Sequence, residues 1–155
     1  MTRIVKRFEN STLDNYICSE EQQTKLVEAL KKCTESGFEN NIIIIGGVGT
    51  GKTHLAFSIL NKLAKINEHQ GYRWYGEEKV IYRTIKSIID EIKSSWNDKE
   101  TRNPVYELSK VPLLIIDEIG MQYGTESERT ELYELFSRRY EDILPTIAIS
   151  NNDVS

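Results

Sequence analysis

The chain has 155 residues, 39% hydrophobic and 28% charged, with a net charge of −4; the length argues for one domain, and the composition excludes collagen, coiled coil and intrinsic disorder. A chain this long buries enough core to need no disulfide or structural metal, and its two cysteines, Cys18 and Cys33, read as partly buried, unreactive thiols in a reducing, cytoplasmic setting. The acidic balance gives no global attraction for nucleic acid, the apolar runs fall far short of the roughly 18 residues of a membrane span, and residues 1–20 carry charges throughout, with no signal-peptide h-region.

Ser19 followed by Gln22 reads as a capping box that opens a helix. Leu26, Val27, Leu30 and Cys33 follow at helical spacing, and Gly37 is the expected terminator. Ile42 to Ile45 is short, β-branched and wholly apolar, the pattern of a strand covered on both faces. Gly-rich residues 46–51 lead into a second helical pattern through Leu55, Ile59, Leu63 and Ile66, with a stop near Gly71. Residues 79–83 predict a second strand. Thr84 then caps a helix that carries Ile85, Ile88, Ile89 and Ile92 and ends near Trp96. Asn97 to Asn103 reads as a loop, and Pro104 as the first turn of a short helix. Leu113 to Ile116 predicts a third buried strand. Thr125 with Glu128 forms a second capping box before Leu132, Leu135, Phe136 and Tyr140, and Thr146 to Ile149 gives a fourth strand. Strands alternating with helices predict a parallel α/β sheet.

The stretch Gly46-Gly47-Val48-Gly49-Thr50-Gly51-Lys52-Thr53 matches G-x-x-x-x-G-K-[ST] and lies between a strand and a helix, the context this phosphate-binding motif requires. A triphosphate needs many donors at close range. Glycines let the backbone approach it, successive N–H groups then point into one concavity, and the helix adds its positive end. Lys52 supplies a mobile charge to the β- and γ-phosphates, and the Thr53 hydroxyl is a ligand for Mg²⁺. The His54 backbone N–H serves the α-phosphate, while its ring reads as packing.

The apolar run Leu113 to Ile116 ends in Asp117 and Glu118, at the carboxyl end of a strand, where α/β sheets hold their ligands. Asp117 is placed to hold Mg²⁺, directly or through water. Glu118, pointing differently because strand side chains alternate, is suited to orient or deprotonate the water that attacks the γ-phosphate. Asn151, at the end of the fourth strand, is expected beside Asp117 to bond the γ-phosphate or that water, with Asn152 as its competitor.

KRFENSTLDNY, GGVGTGKTHLA, LLIIDEIG and TIAISNN in this order, with RRYE closing a later helix, resemble the AAA+ core of DnaC/DnaI-type helicase loaders and the related IstB-type transposition ATPases. The resemblance runs from about Arg7 to Asn152. It implies a P-loop NTPase (AAA+/ASCE) fold, a three-layer α/β sandwich with a mainly parallel sheet. It also implies Mg-ATP, with Tyr16 and Ile17 near the adenine. Self-association into a spiral with ATP between subunits, single-stranded DNA in the central channel and a replicative helicase as client follow from the same likeness. Such proteins carry a helicase-binding segment before this core and a further strand, an arginine finger and a helical lid after it. None of these can be located within residues 1–155, so the chain is expected to be one truncated domain with slow hydrolysis, and Ile42–Ile45 to form an exposed apolar edge.

By the same resemblance Trp96, Ser127 and Arg129 face DNA, on a region where Lys79, Arg83, Lys86 and Lys93 interleave with Tyr82. The acids Glu77, Glu78, Asp90 and Glu91 largely cancel that charge. Arg73, Trp74 and Tyr75 read as packing or a surface loop, and Arg138 and Arg139 as cations favouring a helix C-terminus, one of them a candidate to reach a neighbouring subunit's nucleotide. Three other functions stay open: an ATPase assisting a transposase on duplex DNA, a nucleotide-gated interaction module without hydrolysis, and a small-molecule P-loop kinase.

Overall fold

The computed structural model describes residues 6–69, 80–97, 103–120 and 124–151. The expected stop at Gly71, the Arg73-Trp74-Tyr75 cluster, Lys79 and Asn152 lie outside the described residues. Helix α1 spans Glu21–Ser36 and strand β1 Ile42–Ile45, followed by α2 Lys52–His69, β2 Val80–Thr84, α3 Ile85–Asn97, α4 Pro104–Lys110, β3 Leu113–Ile119, α5 Glu126–Glu141 and β4 Thr146–Ser150. The sheet is wholly parallel, in the order β1-β4-β3-β2.

Alternation along the strands divides the core between two faces. Leu113 and Ile115 join Ile44, Ile147 and Ile149 under α1 and α2, while Leu114 and Ile116 lie with Ile88, Ile92, Leu108 and Leu135 under α3, α4 and α5. This is the expected three-layer sandwich. Each fully buried Leu or Ile contributes roughly 1.5–3 kcal/mol relative to exposure.

Local chemistry sets most boundaries. Asn103 caps α4 by accepting from the amides of Val105 and Tyr106. Thr125 and Glu128 form the predicted capping box on α5. Thr84 caps α3 with Ser87 as its reciprocal partner: the Ser87 amide donates to Thr84 Oγ1 and the Thr84 amide to Ser87 Oγ, each at 3.1 Å.

Three expectations need correction. The predicted Ser19–Gln22 box is not what opens α1. The N-cap is Glu20, and it is Gln23 that accepts from the Ser19 amide and hydroxyl, one residue later than the pattern suggested. Strand β1 is covered on one face only. Ile44 is buried, but Ile43 is 66% exposed, because α3, α4 and α5 pack over the β2–β3 side of the sheet. Because β1 also ends the described sheet, the expected apolar edge is present. Cys18 is exposed, whereas Cys33 is half-buried as expected.

Candidate functional site

The loop after β1 begins beside the end of β4, where the Gly46 amide donates to the Ser150 carbonyl at 3.3 Å. Gly49 and Gly51 both sit at φ +82°, in the left-handed region that favours glycine. Gly51 has a second constraint, since a Cβ there would lie 2.7 Å from the ring of Tyr16. Gly47, Val48 and Thr50 complete the turn, with Val48 87% exposed and the Thr50 hydroxyl closing the loop onto the Gly47 carbonyl at 2.9 Å.

Lys52 opens α2, and its ammonium donates to the Gly46 and Gly47 carbonyls at 2.7 and 2.6 Å. Burial lowers its pKa, and the negative charge of Asp117 opposes that shift. Thr53, one residue on, donates from its hydroxyl to Asp117 Oδ2 at 2.8 Å. The phosphate loop and the acid-bearing strand thus meet in one hydrogen bond.

Asp117 is 4% exposed and fully engaged on that side. Its Oδ2 also accepts from the Tyr82 hydroxyl at 3.0 Å, and its Oδ1 from the Glu118 amide at 2.7 Å. Glu118 is exposed and sits at φ +62°, a left-handed conformation uncommon for a residue with a side chain. The pairing of β3 with β4 skips register between Ile116 and Ile119 at the same place. The expectation that simple strand alternation separates the two acids is corrected: a kink presents Glu118. Such a conformation costs of order 1–3 kcal/mol and is held by its surroundings. Asn151 follows the last residue of β4, which pairs with both Ile119 of β3 and Ile45 of β1, so it too lies at this end of the sheet and is exposed.

The lead-in segment is anchored against α2. Asn61 donates to the carbonyls of Phe8, Glu9 and Ser11, and Phe8 stacks on Phe57 at 5.0 Å. The His54 ring contacts Ser11, Thr12 and Asn15, which makes it a packing and tethering group, as expected. Tyr16 reaches the phosphate loop itself, donating to the Thr50 carbonyl at 2.6 Å, while Ile17 is 88% exposed.

A sequence model of the family described as "IstB-like ATP binding protein" matches residues 1–154. The chain belongs to this IstB-like family. It is similar to the replicative helicase loader DnaC of Buchnera aphidicola subsp. Acyrthosiphon pisum, at 30% identity in a 149-position alignment that covers 93% of this chain and 56% of the loader. The chain therefore spans about half the length of that curated relative. A crystal structure of the DnaC helicase loader superposes with a TM-score of 0.78 over 97% of this chain and 82% of that one, at 21% identity, a likeness of fold. DnaA of Aquifex aeolicus bound to AMPPCP superposes with a TM-score of 0.70, at 28% identity, over 92% of this chain and 42% of that one. This IstB-like chain has an AAA+ P-loop fold and is of the ATP-binding type.

The residues expected to face DNA lie on α3 and at the start of α5. Trp96 is half exposed, and Ser127 and Arg129 are exposed. The basic residues around them are paired: Arg83 with Glu91, Lys86 with Asp90, and Lys93 with the buried Glu128 at 2.7 Å. Tyr82 is held against Phe57, with ring centroids 4.6 Å apart, and against Asp117, so it belongs to the site and not to a basic surface. Arg138 pairs with Glu134 at the surface, but Arg139 is 1% exposed, which removes it as a group reaching another subunit.

Proposed function

We propose that this chain is the ATP-driven core of a helicase loader, a single unit over residues 1–155 that couples Mg-ATP binding and hydrolysis to single-stranded DNA and a replicative helicase. The observation that carries the reading is the 2.8 Å bond from Thr53 to Asp117, which puts the phosphate loop against the acidic strand end. The backbone N–H groups of residues 47–54 and the N-terminus of α2 bind the phosphate chain, and Lys52 turns from its loop carbonyls to the β- and γ-phosphates. Tyr16 and Ile17 flank the adenine.

The Thr53 hydroxyl and Asp117 carboxylate are hard oxygen donors, the set that suits Mg²⁺, and they are close enough to share one ion. When bound, Mg²⁺ neutralises charge that develops on the β- and γ-phosphates. Glu118 takes a proton from water as that water's oxygen bonds to the γ-phosphorus; the bond to the bridging oxygen breaks and ADP leaves with those electrons. Asn151 orients the γ-phosphate or the water. ATP between subunits favours self-association and the DNA-bound state, and hydrolysis releases it.

A second reading, an ATPase assisting a transposase, is favoured by the match of the IstB-like family model to residues 1–154. DNA preference separates the two. In Mg-ATP, fluorescence anisotropy is expected to show tighter binding to single-stranded than to duplex DNA, and Trp96→Ala to weaken the single-strand affinity by roughly 1–3 kcal/mol, the worth of one stacked base. Preference for duplex supports the transposase helper, and an unchanged Trp96→Ala affinity removes Trp96 from the DNA surface.

A further inference from the structure

A carboxylate offers about four acceptor positions, two on each oxygen. At Asp117 the described residues fill three of them. Oδ2 takes the Thr53 hydroxyl at 2.8 Å and the Tyr82 hydroxyl at 3.0 Å, and Oδ1 takes the Glu118 amide at 2.7 Å. Among the described residues' bonds, one position is left over, on Oδ1. We propose that Tyr82 is a positioning residue that sets cation selectivity: its phenol occupies the last free acceptor position of Asp117 Oδ2, so a cation or its water meets this carboxylate through Oδ1 alone.

The geometry is built from three separate elements. Thr53 comes from α2, Tyr82 from β2 and the Glu118 amide from the kink in β3. In the register of β2 with β3, Tyr82 stands opposite Ile115 and Thr84 opposite Asp117, so Tyr82 reaches its partner diagonally along one face of the sheet. Phe57 packs against the ring, with centroids 4.6 Å apart, and Phe8 stacks on Phe57, which restrains the phenol's direction.

The chemical consequence lies in denticity. Mg²⁺ demands near-ideal octahedral geometry and keeps several waters, whereas Ca²⁺ accepts six to eight ligands and readily takes both oxygens of a carboxylate. A carboxylate with Oδ2 committed to protein donors offers one oxygen and suits the smaller ion. Removing the phenol hydroxyl frees a position on Oδ2, loosens the carboxylate's orientation and admits the larger one.

The inference rests on the proposed metal role of Thr53 and Asp117, and the experiment separates the two. ATP affinity of the full chain is titrated against Mg²⁺ and, separately, against Ca²⁺, for the parent, Tyr82→Phe and Asp117→Asn, with metal-free ATP affinity and the thermal midpoint measured alongside. Tyr82→Phe retains the ring against Phe57. It is expected to raise the Mg²⁺ midpoint by about tenfold, the usual scale for losing a hydrogen-bond partner of a metal ligand. The Ca²⁺ midpoint is expected to stay or fall, and metal-free affinity to stay the same. Equal shifts for both ions, a matching fall in metal-free affinity, or no shift while Asp117→Asn shifts, would overturn the role of Tyr82 alone. No shift in Asp117→Asn would overturn the metal site and this inference with it.

Discussion

Glu118→Gln is expected to lower ATP turnover by a factor of about 10²–10⁴, the usual contribution of a positioned general base, while leaving ATP affinity essentially unchanged. Gln has the shape of Glu and the same hydrogen-bonding reach, but it cannot accept a proton. The side chain is exposed at the end of β3, next to the buried Asp117, and the backbone at φ +62° turns it away from its neighbour. The fold holds that conformation through the Glu118 amide's bond to Asp117 Oδ1, which Gln retains because the bond is made by the main chain. Single-turnover hydrolysis alongside an ATP titration separates chemistry from binding. Turnover equal to that of the parent chain would remove Glu118 from catalysis.

The largest stability effect is expected at Arg139. Its guanidinium is buried with no carboxylate bonded to it among the described residues; instead it donates to Thr146 Oγ1 at 2.8 Å and to the carbonyls of Leu108, Val111 and Pro145 at 2.9, 2.7 and 2.6 Å. These acceptors belong to the end of α4, the turn into β3 and the entry to β4, so one side chain ties three segments to α5. Burial pushes the Arg139 pKa down to about 10, which leaves it charged at neutral pH. Arg139→Ala strands those acceptors at roughly 1–3 kcal/mol each if they stay dry, and leaves a cavity as well. A net loss of about 3–5 kcal/mol is a large share of the 5–15 kcal/mol typical of a domain. The melting midpoint is expected to fall by about 6–15 °C. Arg139→Lys should recover only part of this, because one ammonium cannot span acceptors arranged around a planar fork. A midpoint within about 2 °C of the parent for Arg139→Ala would contradict the keystone role.

Features encoded locally were legible in the sequence. The glycine spacing around Lys52, the apolar runs of β1, β3 and β4, and the caps at Thr84 and Thr125 each depend on residues within a few positions of one another. The acids near the end of β3 were legible because an apolar run ending in carboxylates marks a strand's carboxyl end. What depended on distant partners was not. Tyr82 looked like one aromatic among basic residues, since nothing near it in sequence reveals a carboxylate on the next strand. Covering of β1 on both faces was inferred from four isoleucines, yet it depends on which helices reach that edge of the sheet. Arg139 carries a positional signal of burial. It lies four residues after the buried Leu135, and Leu135 seven after the buried Glu128, whereas Arg138 falls off that stripe. The kink at Glu118 has no sequence marker, because the left-handed position is filled by a residue that rarely adopts it.

Calorimetric titration of ATP into the parent chain and Lys52→Ala, at fixed Mg²⁺ and with both proteins confirmed as folded, bears most directly on the whole account. Lys52 is 7% exposed, opens α2 and holds its ammonium inside the loop of residues 46–51. Losing its charge-assisted bonds to the phosphates should weaken ATP binding by roughly 1.5–3 kcal/mol, about ten- to a hundredfold. Undiminished affinity in the folded variant would mean that the nucleotide sits elsewhere.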